Sequence, residues 1–292
     1  MSIAIKFSNF CNNIRIPQNV VDDISYRYKR ITKQLNIDFW LSESDISHSL
    51  YVGSYGRDTE IFTSDIDMLF VLPYSFYERY NNYSGNGQSA LLQDIRNSLQ
   101  KTYSTTHISA EGQVVKINFN DNVSFEIVPC WINTNDTYTY PDTNNSGSWK
   151  ITNPKAEIDA VKIGNDSWNK NLKRLCRMAR AWKAEWNIPM NGLLIDTFSF
   201  NFMKNWEYKD KSFNWYDWLT RDFFKYLEAQ DSNQNYWHAL GSGQIILRVG
   251  SFEYKALQCY NLSIEAIKYE SENSEYSANE KWKKIYGSKF SG

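Results

Sequence analysis

Apolar residues return every three or four positions along residues 18–36, at Val21, Ile24, Tyr28, Ile31 and Leu35. A helix turns about 100° per residue, so these five side chains share one face and predict an amphipathic helix lying along a core. The spacing then changes. Met68-Leu69-Phe70-Val71-Leu72 is an unbroken apolar run closed by Pro73, which predicts a short buried strand. Tyr51-Val52 predicts a strand before it, ending on Gly53-Ser54. Beyond Pro73 the chain is polar and rich in Tyr and Asn as far as Gly85-Asn86-Gly87, the pattern of a surface loop. Helical spacing resumes over residues 89–99 through Leu91, Leu92, Ile95 and Leu99. Two strands are predicted next, at 114–119 and 123–131, about an Asn120-Asp121-Asn122 turn.

In the second half, Leu172, Leu175, Ala179, Trp182 and Trp186 form one helical stripe. Lys170, Lys173, Arg174, Arg177 and Arg180 occupy a different face, with Lys183 at its border. Such a row is either a solvated face or a surface for an anion. From residue 271 the pattern turns polar and predicts a flexible tail over 271–292.

Composition changes this picture in a few respects. At 292 residues, with 42% hydrophobic and 16% aromatic content, the chain is large enough for two lobes or one large domain. No stretch approaches the roughly 18 apolar residues of a membrane span, and the first ten residues lack the pattern of a signal peptide, so no membrane partner is expected. Cys11, Cys130, Cys176 and Cys259 are scattered, which suggests neither a zinc knuckle nor a disulfide framework and fits a reducing cytoplasm. A net charge of −1 advertises no broad nucleic-acid surface, and no stable nucleic-acid partner is expected. His48, His107 and His238 stand at neither metal nor triad spacing.

The candidate chemistry sits at the mouth of the strand that runs to Leu72. Strand side chains alternate, so Asp65 and Asp67 point one way while Ile66 and Met68 point into the core. Two carboxylates so placed call for a positive charge, and hard oxygen donors suit Mg²⁺ or Mn²⁺. Glu126, between Phe125 and Ile127 in the later strand, is the third acid if the two strands are neighbours. Gly53 allows close backbone approach to a ligand, and the hydroxyl and N–H of Ser54 suit a phosphate oxygen. Three converging acids can hold two metal ions, one activating an attacking hydroxyl and one steadying a departing pyrophosphate. Phosphoryl transfer needs little beyond that positioning and charge neutralisation.

The pattern Gly-Ser, ten residues, Asp-Ile-Asp, then Phe-Glu-Ile-Val-Pro resembles the nucleotidyltransferase superfamily that includes DNA polymerase β. The longer runs G-S-Y-G-R-D-T, S-D-I-D-M-L-F-V-L-P, G-Q-V-V-K-I, F-E-I-V-P-C-W and I-T-N-P-K-A-E-I are similar to the bacterial cGAS/DncV-like nucleotidyltransferases (CD-NTases) of CBASS anti-phage signalling. The resemblance implies an α+β fold: a polymerase-β-like core of mixed sheet and flanking helices, a C-terminal helical lobe, and an active site in the cleft of the bilobed whole. It places the core with its N-terminal helix in residues 1–150, the helical lobe in 151–270 and the tail in 271–292. It implies synthesis of a cyclic di- or trinucleotide from nucleoside triphosphates, which activates an effector. Asp65, Asp67 and Glu126 become catalytic metal ligands for two Mg²⁺ ions, with Mn²⁺ as a substitute. Gly53, Ser54, Arg180, Lys183, Thr197 and Ser199 become nucleotide contacts, Arg180 standing where family members carry a lysine. Some operons of this resemblance encode ubiquitin-conjugation-like enzymes that join the synthase's C-terminal glycine to other molecules, which makes Gly292 a conjugation site. Two other readings fit the same acids: a template-independent transferase acting on RNA or another acceptor, and a catalytically silent nucleotide-binding module.

Overall fold

The structure, a computed structural model, describes residues 1–61 and 65–291. Its first half runs α1 (Ile3–Asn13), α2 (Gln18–Trp40), β1 (Ser49–Tyr51), α3 (Gly53–Arg57), β2 (Asp65–Val71), α4 (Tyr74–Asn81) and α5 (Gly87–Thr102). Five strands follow: β3 (His107–Glu111), β4 (Val114–Asn118), β5 (Ser124–Ile132), β6 (Tyr138–Asp142) and β7 (Ser148–Thr152). The second half is α6 (Pro154–Ser167), α7 (Asn171–Trp186), α8 (Gly192–Asn205), α9 (Tyr216–Glu228), the hairpin β8 (Tyr236–His238) and β9 (Ile245–Leu247), then α10 (Glu253–Ser271) and α11 (Glu275–Tyr286). No described helix is long and apolar enough to cross a membrane.

Two compact units result. One, the sheet unit, holds Ile16–Gly56 and residues 65–155; the other, the helical unit, holds Met1–Arg15, Arg57–Ile61 and the described chain from Ala156 on. In the sheet unit the strand order is β1-β2-β5-β4-β3, with β6 and β7 continuing from the end of β5. Only the β2–β5 pair is parallel among the described strands, so the sheet is mixed, as the α+β reading requires. The predicted stripe on α2 is realised: Ile24, Tyr28, Ile31 and Leu35 are buried against Ile66, Met68 and Phe70 of β2 and Phe125 and Ile127 of β5. Leu91, Leu92, Ile95 and Leu99 of α5 join the same core. With helices covering that face, alternation along the strands leaves the other face to Asp65, Asp67, Lys116 and Glu126.

The helical unit buries the predicted α7 stripe, Leu172, Leu175, Ala179 and Trp182, against α8, α9, α10 and α11. Three expectations change here. The Tyr-rich stretch after Pro73 is a helix, α4, whose Tyr80 reaches the sheet unit's core. Its polar composition hid an apolar face at Phe76, Tyr77 and Tyr80. The first 15 residues group with the helical unit, because Phe7 and Phe10 pack on Trp282, Tyr286 and Phe290. By the same contacts the polar segment after Ser271 is ordered through α11, with Trp282 and Ile285 fully buried, instead of forming a flexible tail. Gly292 lies outside the described residues.

Candidate active site

Three adjacent strands assemble the acids. In the parallel pair β2–β5, Asp65 stands opposite Ser124 and Asp67 opposite Glu126. On the far side of β5, Lys116 of β4 stands opposite Glu126. The Lys116 ammonium donates to Asp65 Oδ1 and to Glu126 Oε1, each at 2.9 Å. Its bonds to Glu126 and then Asp65 push its pKa above the ordinary lysine value. Ser124 Oγ donates to Asp65 Oδ1 at 2.6 Å. Neither Lys116 nor Ser124 was singled out in the sequence. The only signal was indirect: a lysine one position from Val115 and Ile117 in an alternating strand must share the face of the acids if β4 neighbours β5.

Gly53 is fixed to this face by space and by handedness. The Val52 N–H donates to the Asp67 carbonyl at 2.9 Å, which ties the end of β1 to β2. A Cβ built on Gly53 falls 1.9 Å from Asp67 Oδ2, and its φ of +61° is a conformation that side chains disfavour. The Gly-Ser turn therefore opens α3 directly against the second aspartate, with Ser54 as the next residue and half-buried.

The donor set suits a hard cation, being carboxylate oxygens throughout. The structure puts an ammonium between two of them. Among the described residues no three acid, histidine or cysteine side chains are arranged to hold a metal ion. Lys116 thus bridges the carboxylates of Asp65 and Glu126.

The other predicted nucleotide contacts fall in the helical unit and take structural roles. Arg180 is buried, donating to both carboxylate oxygens of Asp196 and to the Gly192 carbonyl at 3.1 Å. Asp196 also accepts from Arg57 Nε at 2.8 Å and from Thr59 Oγ1 at 2.9 Å. Burial raises the Asp196 pKa, but the guanidiniums of Arg180 and Arg57 outweigh it and hold the carboxyl below its ordinary value. Arg57 further donates to Glu157 at 3.0 Å. Arg180 is thus a member of this buried network. Thr197 and Ser199 lie in similar surroundings. Both are buried, the Thr197 hydroxyl accepting from the Leu240 N–H at 3.3 Å and the Ser199 hydroxyl donating to the Ile195 carbonyl at 2.8 Å. Lys183 is half-buried and enters no salt bridge among the described residues; burial and then Arg180 lower its pKa.

The chain is similar to several known proteins. The chain is 25% identical over 215 residues to a curated "Probable cyclic nucleotide synthase" of Bacillus cereus (strain VD146), covering 68% of this chain and 62% of that protein. The chain thus spans less than two thirds of that curated relative's length. Among solved structures it is similar to Escherichia coli MS115-1 CdnC with ATP, at 16% identity and a TM-score of 0.72 over 99% of each chain. It is also similar to the Vibrio cholerae di-nucleotide cyclase DncV, at 14% identity and a TM-score of 0.63, covering 84% of this chain and 70% of that one. At such identities these structures establish the fold. Residues 1–165, more than half of the chain and inclusive of Gly53, Asp65, Asp67 and Glu126, match the Second Messenger Oligonucleotide or Dinucleotide Synthetase domain. The chain belongs to that synthetase family.

Proposed function

We propose that this chain joins nucleoside triphosphates into a cyclic di- or trinucleotide second messenger that activates an effector in anti-phage defence. The observation that carries the reading is the register of Asp67 with Glu126, with Asp65 alongside and Gly53 pressed against Asp67. Family membership supports it, as does similarity to CdnC, whose structure holds ATP. In each step a 2′- or 3′-hydroxyl oxygen bonds to the α-phosphorus of a triphosphate. The bond from that phosphorus to the pyrophosphate oxygen breaks, pyrophosphate leaves, and the hydroxyl proton departs. A second such step closes a dinucleotide ring, and a trinucleotide ring needs a third.

The chain's own residues divide this work. Gly53 leaves room for a phosphate to approach the backbone, and the Ser54 hydroxyl and N–H hold it. Asp65, Asp67 and Glu126 hold divalent cations, which enzymes of this family use; we assign two Mg²⁺ ions, with Mn²⁺ as a substitute. Bound there, the ions supply acidity to the attacking hydroxyl and neutralise the departing pyrophosphate. The Glu126 carboxylate accepts the hydroxyl proton once its bond to Lys116 is released. Arg180, Lys183, Thr197 and Ser199 are proposed as the nucleotide contacts in the helical unit. Gly292 is proposed as the point at which conjugating enzymes join the chain to other molecules.

The test is to incubate purified protein with the four ribonucleoside triphosphates and Mg²⁺ or Mn²⁺, beside the Asp65→Asn/Asp67→Asn variant. Products are treated with phosphatase and weighed by mass spectrometry. A phosphatase-resistant cyclic product, absent from the variant, is expected. Linear or acceptor-linked product would instead indicate a template-independent transferase, and tight triphosphate binding without any pyrophosphate release a silent module.

A further inference from the structure

We propose that the helical unit carries a second anion site, a basic cavity that takes a small polyanion with two or more phosphate-type groups in competition with Asp58. The cavity measures about 400 Å³, within the range of small-molecule pockets. Arg15 from the end of α1, Lys170, Lys173, Arg174 and Arg177 from the start of α7, and Asp58 all line it. These are five cations against one carboxylate, a local excess of four positive charges in a chain whose net charge is −1. Four of the cations lie at the start of α7 and the fifth, Arg15, comes from a separate segment to face them across one concavity, which distinguishes the set from a solvated row on a single helix.

The cations divide by what they already hold. Lys173 donates to Asp58 Oδ2 at 2.9 Å, and Arg177 donates to the Asp58 carboxylate and, at 2.7 Å, to its carbonyl. Lys170 pairs with Asp166. Arg174 makes two neutral bonds, to the Asn169 carbonyl at 3.1 Å and Asn171 Oδ1 at 3.2 Å, and its guanidinium lies 4.6 Å over the ring of Phe213, also in the wall. Arg15 and Arg174 enter no salt bridge among the described residues. Asp58 itself is exposed, and it sits at a left-handed φ of +55°. Its carboxylate occupies the place of a first anionic group, satisfying two cations and leaving two without a counter-charge.

A phosphate-type group offers more charge and more acceptor oxygens than one carboxylate, so it competes for Lys173 and Arg177. A second group on the same molecule reaches Arg15 or Arg174. A concave site of this size favours a compact molecule over a duplex, which needs an extended basic surface. The wall also offers the Phe213 ring for a flat apolar part. Binding at this cavity stands apart from the synthase reading. A regulatory consequence rests on that reading: Asp58 follows α3 directly, so a ligand that frees it acts on the segment that begins at Gly53.

The experiment titrates the full-length protein with sodium tripolyphosphate by isothermal calorimetry, at low salt with EDTA in place of divalent ions. The variants are Arg15→Gln/Lys173→Gln, Arg15→Gln alone, Asp58→Asn and Asp65→Asn/Asp67→Asn, each checked for an unchanged circular dichroism spectrum. Saturable 1:1 binding is expected, weakened at least tenfold by the double glutamine variant and measurably by Arg15→Gln alone. Asp58→Asn is expected to tighten it several-fold, and Asp65→Asn/Asp67→Asn to leave it unchanged. Binding that survives the glutamine variants, or that disappears with Asp65→Asn/Asp67→Asn, overturns the site. So does an absence of saturable binding, or binding of a short DNA duplex in its place.

Discussion

Lys116 holds the carboxylates of Asp65 and Glu126 at 2.9 Å each, in the place proposed for a divalent ion. Replacing it by methionine leaves two acids facing one another with their repulsion unrelieved. Lys116 is a third exposed, so the loss is discounted to about 1 kcal/mol, or roughly 2–4 °C in Tm. Mg²⁺ is then expected to raise the Tm of Lys116→Met more than that of the unaltered protein, because no ammonium has to leave. An equal Mg²⁺ response in both would sink the idea that Lys116 and the ion share a place. Glu60 gives a pH effect of opposite origin. Its Oε2 is out of solvent with no hydrogen-bond partner among the described residues, and burial raises its pKa from the ordinary 4.5 to about 7. Between those values the folded chain keeps a proton that the unfolded chain has lost, so stability falls as pH rises through about 7. Glu60→Gln is therefore expected to melt higher than the unaltered protein at pH 8, by at most about 3 kcal/mol, and to match it near pH 4.5. Thermal melts at the two pH values decide it; a constant difference would assign the effect to packing. The acids themselves were legible because alternation along one strand fixes the face of Asp65 and Asp67. Lys116 was not, since its part depends on β4 lying beside β5, a long-range pairing with no local mark.

On the scale of elements, α7 shows how far periodicity carries. The stripe from Leu172 to Trp182 was readable from spacing alone, because burying one face is what a 3.6-residue period does. The basic face was not. Arg177 and Arg180 are buried, and what makes that tolerable comes from elsewhere: Asp58 is 119 residues away in sequence and Asp196 lies on the next helix. A motif comparison had matched Arg180 to a triphosphate contact; its geometry is that of a charge balanced from within. Asp196 is the shared partner of Arg57 and Arg180, so Asp196→Ala leaves the buried Arg180 guanidinium without its counter-ion and Arg57 with Glu157 alone. The expected loss is about 3–5 kcal/mol, read as a lower midpoint in urea with the slope unchanged. A midpoint within error of the unaltered protein would mean that the network contributes nothing and that Arg180 is held in place by other contacts.

At the scale of the whole molecule, the last segment of the chain is where composition misled. Polarity after Ser271 reads as a flexible tail, yet the segment carries widely spaced aromatics that pack against α1. Phe7 meets the rings of Trp282 and Phe290 edge-on at 5.2 Å, and Phe10 lies 4.7 Å from Tyr286. Sequence reading scores a segment by its own mean character, so a helix such as α11, with four buried residues among its twelve, passes for a tail. The distinction has a direct test. Trp282 is fully buried, and truncating a buried tryptophan to alanine removes its contacts and leaves a cavity, at about 3–5 kcal/mol. That is a large share of the 5–15 kcal/mol that roughly spans the stability of a folded protein. Trp282→Ala is thus expected to lower the Tm by many degrees or to leave the protein insoluble. If the segment after Ser271 is instead a free tail in solution, Trp282→Ala leaves the melting curve where it was.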